Sequence, residues 1–467
     1  MSRSMMRMLL VLFVFAATAT RAAAAISTAA GTGVTGFNGD GQPATQSKLQ
    51  FPWQVAIDLD GDLLIANSGN NRVRRVDSVT GLISTVAGTG FSGSGGDGGP
   101  AALATLASPS GVIADTNGDI LIADSLSASI RRVDVANGSI STALHPIANP
   151  IAMTITASGA LYVLDHYFQQ ILPVDLATPM LTVVAGSGNL FPRYEIPNDG
   201  GPATAVDLYG AVGFAFDSSG DLFIAESAAT RIRRVDAATG IITTIAGSTH
   251  PLAFRGDGGP ALTASYWYLS GIAVDAGDNL FVADQNNQRI RRIDAATGIV
   301  TTVAGNGEAG FSGDSGPARL AALDYPGSLT FDQDGSLLVS TQSTVRRITP
   351  LDLNASSILA ASPSQLTKPR NKMADVTVTF ADTSLCTSPS AVLLAISSNE
   401  PDDLSGGADG QTVNDIQGAA IGTADYDFSV RVERSRKGTG RIYQADYLVT
   451  CGSGEQTVSS VFVTVPL

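Results

Sequence analysis

A chain of 467 residues has room for two or three domains, and 50 Gly with only 15% charged residues suit a turn-rich all-β protein. A net charge of −14 argues against a nucleic-acid partner, because affinity for phosphate backbones comes largely from cations.

The chain opens with Arg3 and Arg7, followed by an apolar run over residues 8–17. Ala22-Ala23-Ala24 and Ala23-Ala24-Ala25 both fit cleavage between small residues, so residues 1–25 are expected to be a secretory leader. The apolar run is too short to span a bilayer, and no transmembrane segment is expected. The mature protein is expected to be secreted, whether extracellular, on the cell surface or in a periplasm. Loss of Arg3, Arg7 and Arg21 makes its charge more negative still.

Residues 26–31, ISTAAG, read as one strand with no partner nearby. A unit of four short strands then recurs. Its first copy, 55–88, carries VAID, LLIAN, RVRRVD and LISTVAG; its second, 111–144, carries GVIAD, ILIAD, IRRVD and SISTAL. A worn third copy, 151–186, has LYVLD and LTVVAG but LPVDL in place of the Arg-rich strand. The fourth, 213–247, and the fifth, 271–305, are the most regular, the fifth reading GIAVDAGDNLFVADQNNQRIRRIDAATGIVTTVAG. A sixth, 328–348, stops after its third strand. Runs of four to seven β-branched and aromatic residues separated by turn chemistry predict antiparallel meanders, with strands a to d. The N-terminal ISTAAG resembles the ISTVAG of residues 83–88, so it is expected to supply the missing strand d and close the array into a ring without exposed edges.

The VAD-type ends of strand b, the NNRVRRVD and NNQRIRRID runs and the ATG-ITT-AG endings resemble NHL repeats, the blades of a β-propeller. The linkers FNGDGQPA, GGDGGPA, NDGGPA, RGDGGPA and FSGDSGPA are similar to those of secreted bacterial NHL proteins. The resemblance covers about residues 26–350 and implies a six-bladed propeller. It implies little about activity, because propellers host many.

The strand-c arginine pairs (Arg74-Arg75, Arg131-Arg132, Arg233-Arg234, Arg291-Arg292, Arg346-Arg347) recur once per blade and are therefore read as structural, pairing with the acidic residues that end strand b. In a meander the d-to-a linkers and b-to-c loops share one face. That face collects Asn67, Asp124, Asp165, Glu226 and Asp284, together with Asp40, Asp97, Asp199, Asp257 and Asp314 of the linkers. It is the expected binding surface, since loops on a rigid scaffold usually carry function; the competing reading is that each Asp caps a turn or pairs with a strand-c Arg. The worn third blade adds His166 and Tyr167 to the candidates. His145, His166 and His250 fall on this face but follow no local metal-ligand spacing.

No nucleophile elbow, phosphate loop or Ser-His-Asp set is present, so the chain leans towards a non-enzymatic role, binding a protein or glycan. The alternative is a hydrolase or lyase working in the propeller channel, of the lactonase or amidating-lyase kind. No catalytic residue and no cofactor are assigned. A monomer is expected.

Residues 351–373 read as a linker, and strands resume over 374–467 as a β-sandwich similar to the Ig-like modules of bacterial surface proteins. Cys386 and Cys451 are the only cysteines, and export would favour their pairing. A bridge there closes a loop of about 65 residues, worth ~4 kcal/mol in the chain-entropy model. The acidic loop 399–415 has the oxygen ligands that calcium takes, but no ordered spacing of them.

Overall fold

A computed structural model describes residues 24–349, apart from 179–180, 190–198 and 249–253, and beyond them the segments 359–362, 372–380, 390–398, 416–417, 423–424, 426–432, 441–450 and 456–465. The expected leader, His250, the cysteine pair and the acidic loop 399–415 lie outside the described residues, apart from Ala24 and Ala25 at the leader's end.

Six meanders stand around one axis. Blade 1 is Pro52–Ile57, Leu63–Asn67, Arg72–Val76 and Ile83–Ala87, and its strands pair in that order. Blade 2 (Pro109–Ala114 to Ile140–Leu144), blade 4 (Ala211–Phe216 to Ile242–Ala246) and blade 5 (Leu269–Val274 to Val300–Ala304) repeat it. Blade 6 has Leu329–Phe331, Leu337–Ser340 and Val345–Ile348, and its fourth strand is the N-terminal Ile26–Ala30. Ile26 pairs with Ile348 and Thr28 with Arg346, so the ring is closed as expected.

Blade 3 departs from the expectation. Its sheet holds three strands, Pro150–Ile155, Leu161–Asp165 and Gln170–Val174. Among the described residues, the backbone of the following segment bridges strand c at Val174–Leu181 and Ile171–Ala185. Pro173 has no N–H to give to a continuous ladder, which accounts for part of the loss.

Apolar side chains of neighbouring blades fill every seam. Ile290 and Phe281 of blade 5 pack with Ile348, Leu337 and Ile26 of blade 6, and Leu338 and Val345 of blade 6 with Val55 and Ile65 of blade 1. The Gly closing strand d is required sterically. Gly31, Gly88, Gly186, Gly247 and Gly305 have φ between 90° and 100°, and an added Cβ would lie 2.0–2.5 Å from a carbonyl oxygen.

Except before blade 3, each linker runs beside strand d of the blade that follows it before turning inward. Gly41 N donates to Ile83 O, Ile83 N to Gln42 O and Ala44 N to Gly81 O; Pro100, Pro202 and Pro260 make the matching bridges to Ser139, Ile241 and Ile299. Linker backbone thus covers the outer edge of these blades. In blade 6 the same contact holds the N-terminal strand, through Ile26 N to Gly316 O and Ser315 N to Ile26 O.

Beyond the ring, Leu359–Ser362, Lys372–Phe380, Asp427–Val432 and Ile416–Gln417 form one four-stranded sheet, and Ser390–Ser398, Arg441–Thr450 and Gln456–Val465 a three-stranded one. The stretch expected as a linker over 351–373 therefore contains a strand, Leu359–Ser362, paired with Lys372–Phe380. Among the described residues, no helix is long and apolar enough to cross a membrane.

Candidate functional site

The linkers and b-to-c loops do share a face, joined by bonds such as Ser68 N to Phe51 O and Gln285 N to Tyr268 O. The acidic residues at the ends of strand b do not decorate it. Asn67, Asp124, Glu226 and Asp284 are fully buried and Asp165 nearly so. Each accepts a backbone N–H from the incoming linker: Asn67 from Gln50 at 2.9 Å, Asp124 from Ala107 at 2.6 Å, Asp165 from Ala148 at 3.1 Å, Glu226 from Tyr209 at 2.6 Å and Asp284 from Trp267 at 2.8 Å. The geometry makes them fasteners for the linker, so the carboxylates left in contact with solvent on this face are those of the linkers, such as Asp40 and Asp97. Burial pushes the Asp124 carboxyl up to about 6, against a bond from Ala107 and the charge of Arg131, and it raises Asp284 as well.

The arginine pairs are structural, but with a different first partner. The leading arginine of each pair is buried and bonds the linker aspartate: Arg74 to Asp40 at 2.8 Å, Arg131 to Asp97 at 2.5 Å, Arg233 to Asp199 at 2.8 Å, Arg291 to Asp257 at 2.7 Å and Arg346 to Asp314 at 2.7 Å. The strand-b acid stands further off, 3.7 Å for Arg131–Asp124 and 3.5 Å for Arg291–Asp284. Asp257 also accepts from Thr302 N and Asp97 from Thr142 N, so one carboxylate joins linker, strand c and strand d. The second arginine turns to the opposite face, where Arg75 meets Asp62 at 2.6 Å and Arg347 meets Asp332 at 2.6 Å.

Blade 3 lost both halves of this device together. Leu172 and Pro173 stand where the arginines belong, and the linker before them has His145-Pro146 and no aspartate. His166 is half-buried, and burial holds its imidazole below the usual range, opposed by Asp165. Tyr167 and Phe168 are exposed and meet edge to face at 5.1 Å. His145 Nδ1 lies 3.1 Å from Ala128 O. Among the described residues, no group of three His, Cys, Asp or Glu side chains is placed to hold a metal ion.

The concave feature of this face is the central channel, a cavity of about 640 Å³ lined by strand a of all six blades. Its described lining contains no Asp, Glu, Lys, Arg, His or Cys. At the mouth stand Phe51, Trp53, Tyr268 and Tyr325, with the amides of Gln285 and Gln342. The wall is drawn tight below. Gln54 crosses over Gly111 to the main chain of Met153, donating to O at 2.7 Å and accepting from N at 3.1 Å. The four mouth aromatics are each close to half exposed. Three of them, Phe51, Tyr268 and Tyr325, hold left-handed backbone at φ 47°, 62° and 50°, which costs a bulky residue roughly 1–2 kcal/mol. The sequence reading passed over them. Their signal is an aromatic where the linker enters strand a, in FPW, YWYLS and DYPG, where the other blades have Ser108, Asn149 and Gly210.

No family model matches the chain. Human NHL repeat-containing protein 2 is 26% identical over 354 residues, covering 67% of this chain and 48% of that protein. The chain thus spans about half the length of that relative. A Bacteroides thetaiotaomicron protein of unknown function superposes with a TM-score of 0.53 at 16% identity, over 70% of this chain and 76% of that one. The fold is an NHL-repeat β-propeller. An auxiliary nutrient binding protein from Bacteroides ovatus has a TM-score of 0.52 at 16% identity, over 71% and 77% of the two chains. At these identities the two structures speak for the fold of the propeller.

Proposed function

We propose that this protein is a non-enzymatic binding protein that takes its ligand, a glycan or a group carried on a protein, at the mouth of the propeller channel. The observation that carries the reading is the channel lining, which among the described residues has aromatic rings and amides but no carboxylate, imidazole, amine or thiol. Hydrolysis of a lactone or elimination by a lyase needs a positioned acid, base or Lewis acid; among the described residues the lining offers only the phenols of Tyr268 and Tyr325, with no carboxylate, imidazole or amine to pair with them. A concave, mostly apolar site with a few convergent polar groups is the usual form of a ligand pocket. The nutrient-binding neighbour agrees in kind. In this reading the leader at 1–25 exports the chain, the C-terminal sheets form an Ig-like sandwich closed by Cys386–Cys451, and that module acts as a spacer.

The test is equilibrium binding and turnover on the same purified full chain. Saturable binding that is lost in Tyr268→Gly and Tyr325→Gly, with no product from lactone substrates, supports the reading. Steady turnover that survives removal of the mouth aromatics overturns it.

A further inference from the structure

We infer that the ligand of the channel mouth is an uncharged saccharide, stacked on the aromatics of blades 5, 6 and 1; this rests on the binding reading above. The mouth is asymmetric. Phe51, Tyr268 and Tyr325 occupy the same position in three adjacent blades, while the opposite three have Ser108, Asn149 and Gly210. Gly210 shares the left-handed backbone at φ 67°, so the turn is satisfied by glycine and does not call for a ring. A ring kept half exposed on strained backbone points to a use outside the fold.

Two amides complete the platform. Gln285 N bonds Tyr268 O, and Phe51 N bonds Gln342 O, so each half-buried glutamine is tied beside an aromatic through the main chain. Neither side-chain amide has a protein hydrogen-bond partner among the described residues, although both line the cavity. An amide offers a donor and an acceptor together, as does each sugar hydroxyl. The electron-rich face of Trp or Tyr meets the electropositive C–H face of a pyranose.

Two other ligand classes fit less well. A charged ligand would find no charged side chain in the described lining: the strand-b acids such as Asp284 are buried and engaged, and the nearest half-buried carboxylate, Asp324 beside Tyr325, does not line the cavity. A wholly apolar ligand would strand the two amides. A volume of about 640 Å³ lies within the ordinary range for small-molecule sites.

The molecule carries its own reporter. Its two tryptophans are Trp53, in the lining, and Trp267, exposed next to Tyr268. The full chain is titrated with neutral hexasaccharides of glucose, xylose and mannose, with an oligogalacturonate, and with an uncharged naphthalene dye, following tryptophan emission and heat. At least one neutral saccharide should bind and shift the emission. Tyr268→Gly should weaken it tenfold or more, and Gln285→Ala about fivefold, with Tm kept in both. If only the acidic sugar or the dye binds, and Tyr268→Gly abolishes it, the saccharide class is wrong while the mouth remains the site. If saccharide binding ignores Tyr268→Gly and Tyr325→Gly, the site is elsewhere and both readings fall. Absence of binding across all the neutral sugars also overturns the inference.

Discussion

Gln54 holds Met153 by both of its main-chain polar atoms, reaching from blade 1 to blade 3 across the bare backbone of Gly111. The contact closes part of the channel wall without any charge. An added Cβ at Gly111 would sit 2.8 Å from Ala123 Cβ and 3.0 Å from Gln54 Oε1. Gln54→Ala is expected to cost about 1–3 kcal/mol, the penalty for leaving buried main-chain groups unpaired. Gly111→Val should cost at least as much through the clash. Urea unfolding of the two variants checks this; a wild-type midpoint for both would show that the bridge contributes nothing.

The linker aspartates should differ in weight according to burial. Asp257 is 10% exposed and faces a fully buried Arg291, whereas Asp97 is 49% exposed. Asp257→Ala is expected to cost about 3 kcal/mol, because it strands a buried guanidinium. Asp97→Ala should cost distinctly less, since water can reach its side of the pair. Arg291→Glu should be worse than either. Thermal melts of the three variants give the order, and equal losses for Asp257→Ala and Asp97→Ala would refute it.

Asp124 gives a pH dependence with a definite sign. Its carboxyl titrates near 3.8 when unfolded and at about 6 when folded. Between those values the folded chain retains a proton that the unfolded chain has released. The stability this group provides is therefore full below about 4 and is lost as pH rises through 6. Blade 1 has a neutral Asn67 in the same role, accepting Gln50 N. Asp124→Asn should thus gain on the wild type by on the order of 2 kcal/mol between pH 4 and pH 7. Paired denaturation curves across that range measure it; a constant difference would mean that Arg131 already compensates the charge.

Closure should be measurable at one side chain. Ile26 is fully buried against Ile348 and Leu337. Ile26→Ala is expected to cost about 3 kcal/mol and to open the last blade first. Limited proteolysis should then cut earliest near residues 24–30 or 329–348. First cuts in blades 4 or 5 would argue that the seam is no weaker than the others.

Much of the fold was readable because it repeats. Strand order, linker position and the closing role of residues 26–31 all follow from the copies. Burial of Asp124 and Asp284 was not readable. An acidic residue at the start of a loop looks solvated until the linker that folds over it is known. The Arg291–Asp257 pair was hidden by distance, although two clues were present: the constant 34-residue offset in four blades, and the joint loss of both partners in blade 3. The mouth aromatics were missed for the opposite reason. A search for what recurs gives little weight to Tyr268 and Tyr325, because the residue at their position differs from blade to blade. Their shared strain becomes visible only in backbone angles.

The pairing of Ile26 with Ile348 also sets a timetable. The first strand of the ring to be synthesised is the last to find its neighbour, since more than 300 residues must appear before its partner exists. Until then an apolar β-segment stays open to wrong partners, including the outer edge of any blade already formed, and such long-range pairing is slow and prone to association. The Arg–Asp clasps and the linkers laid over outer strands leave finished blades little spare edge to offer it. The same backbone that fastens each blade also keeps the waiting strand from settling in the wrong place.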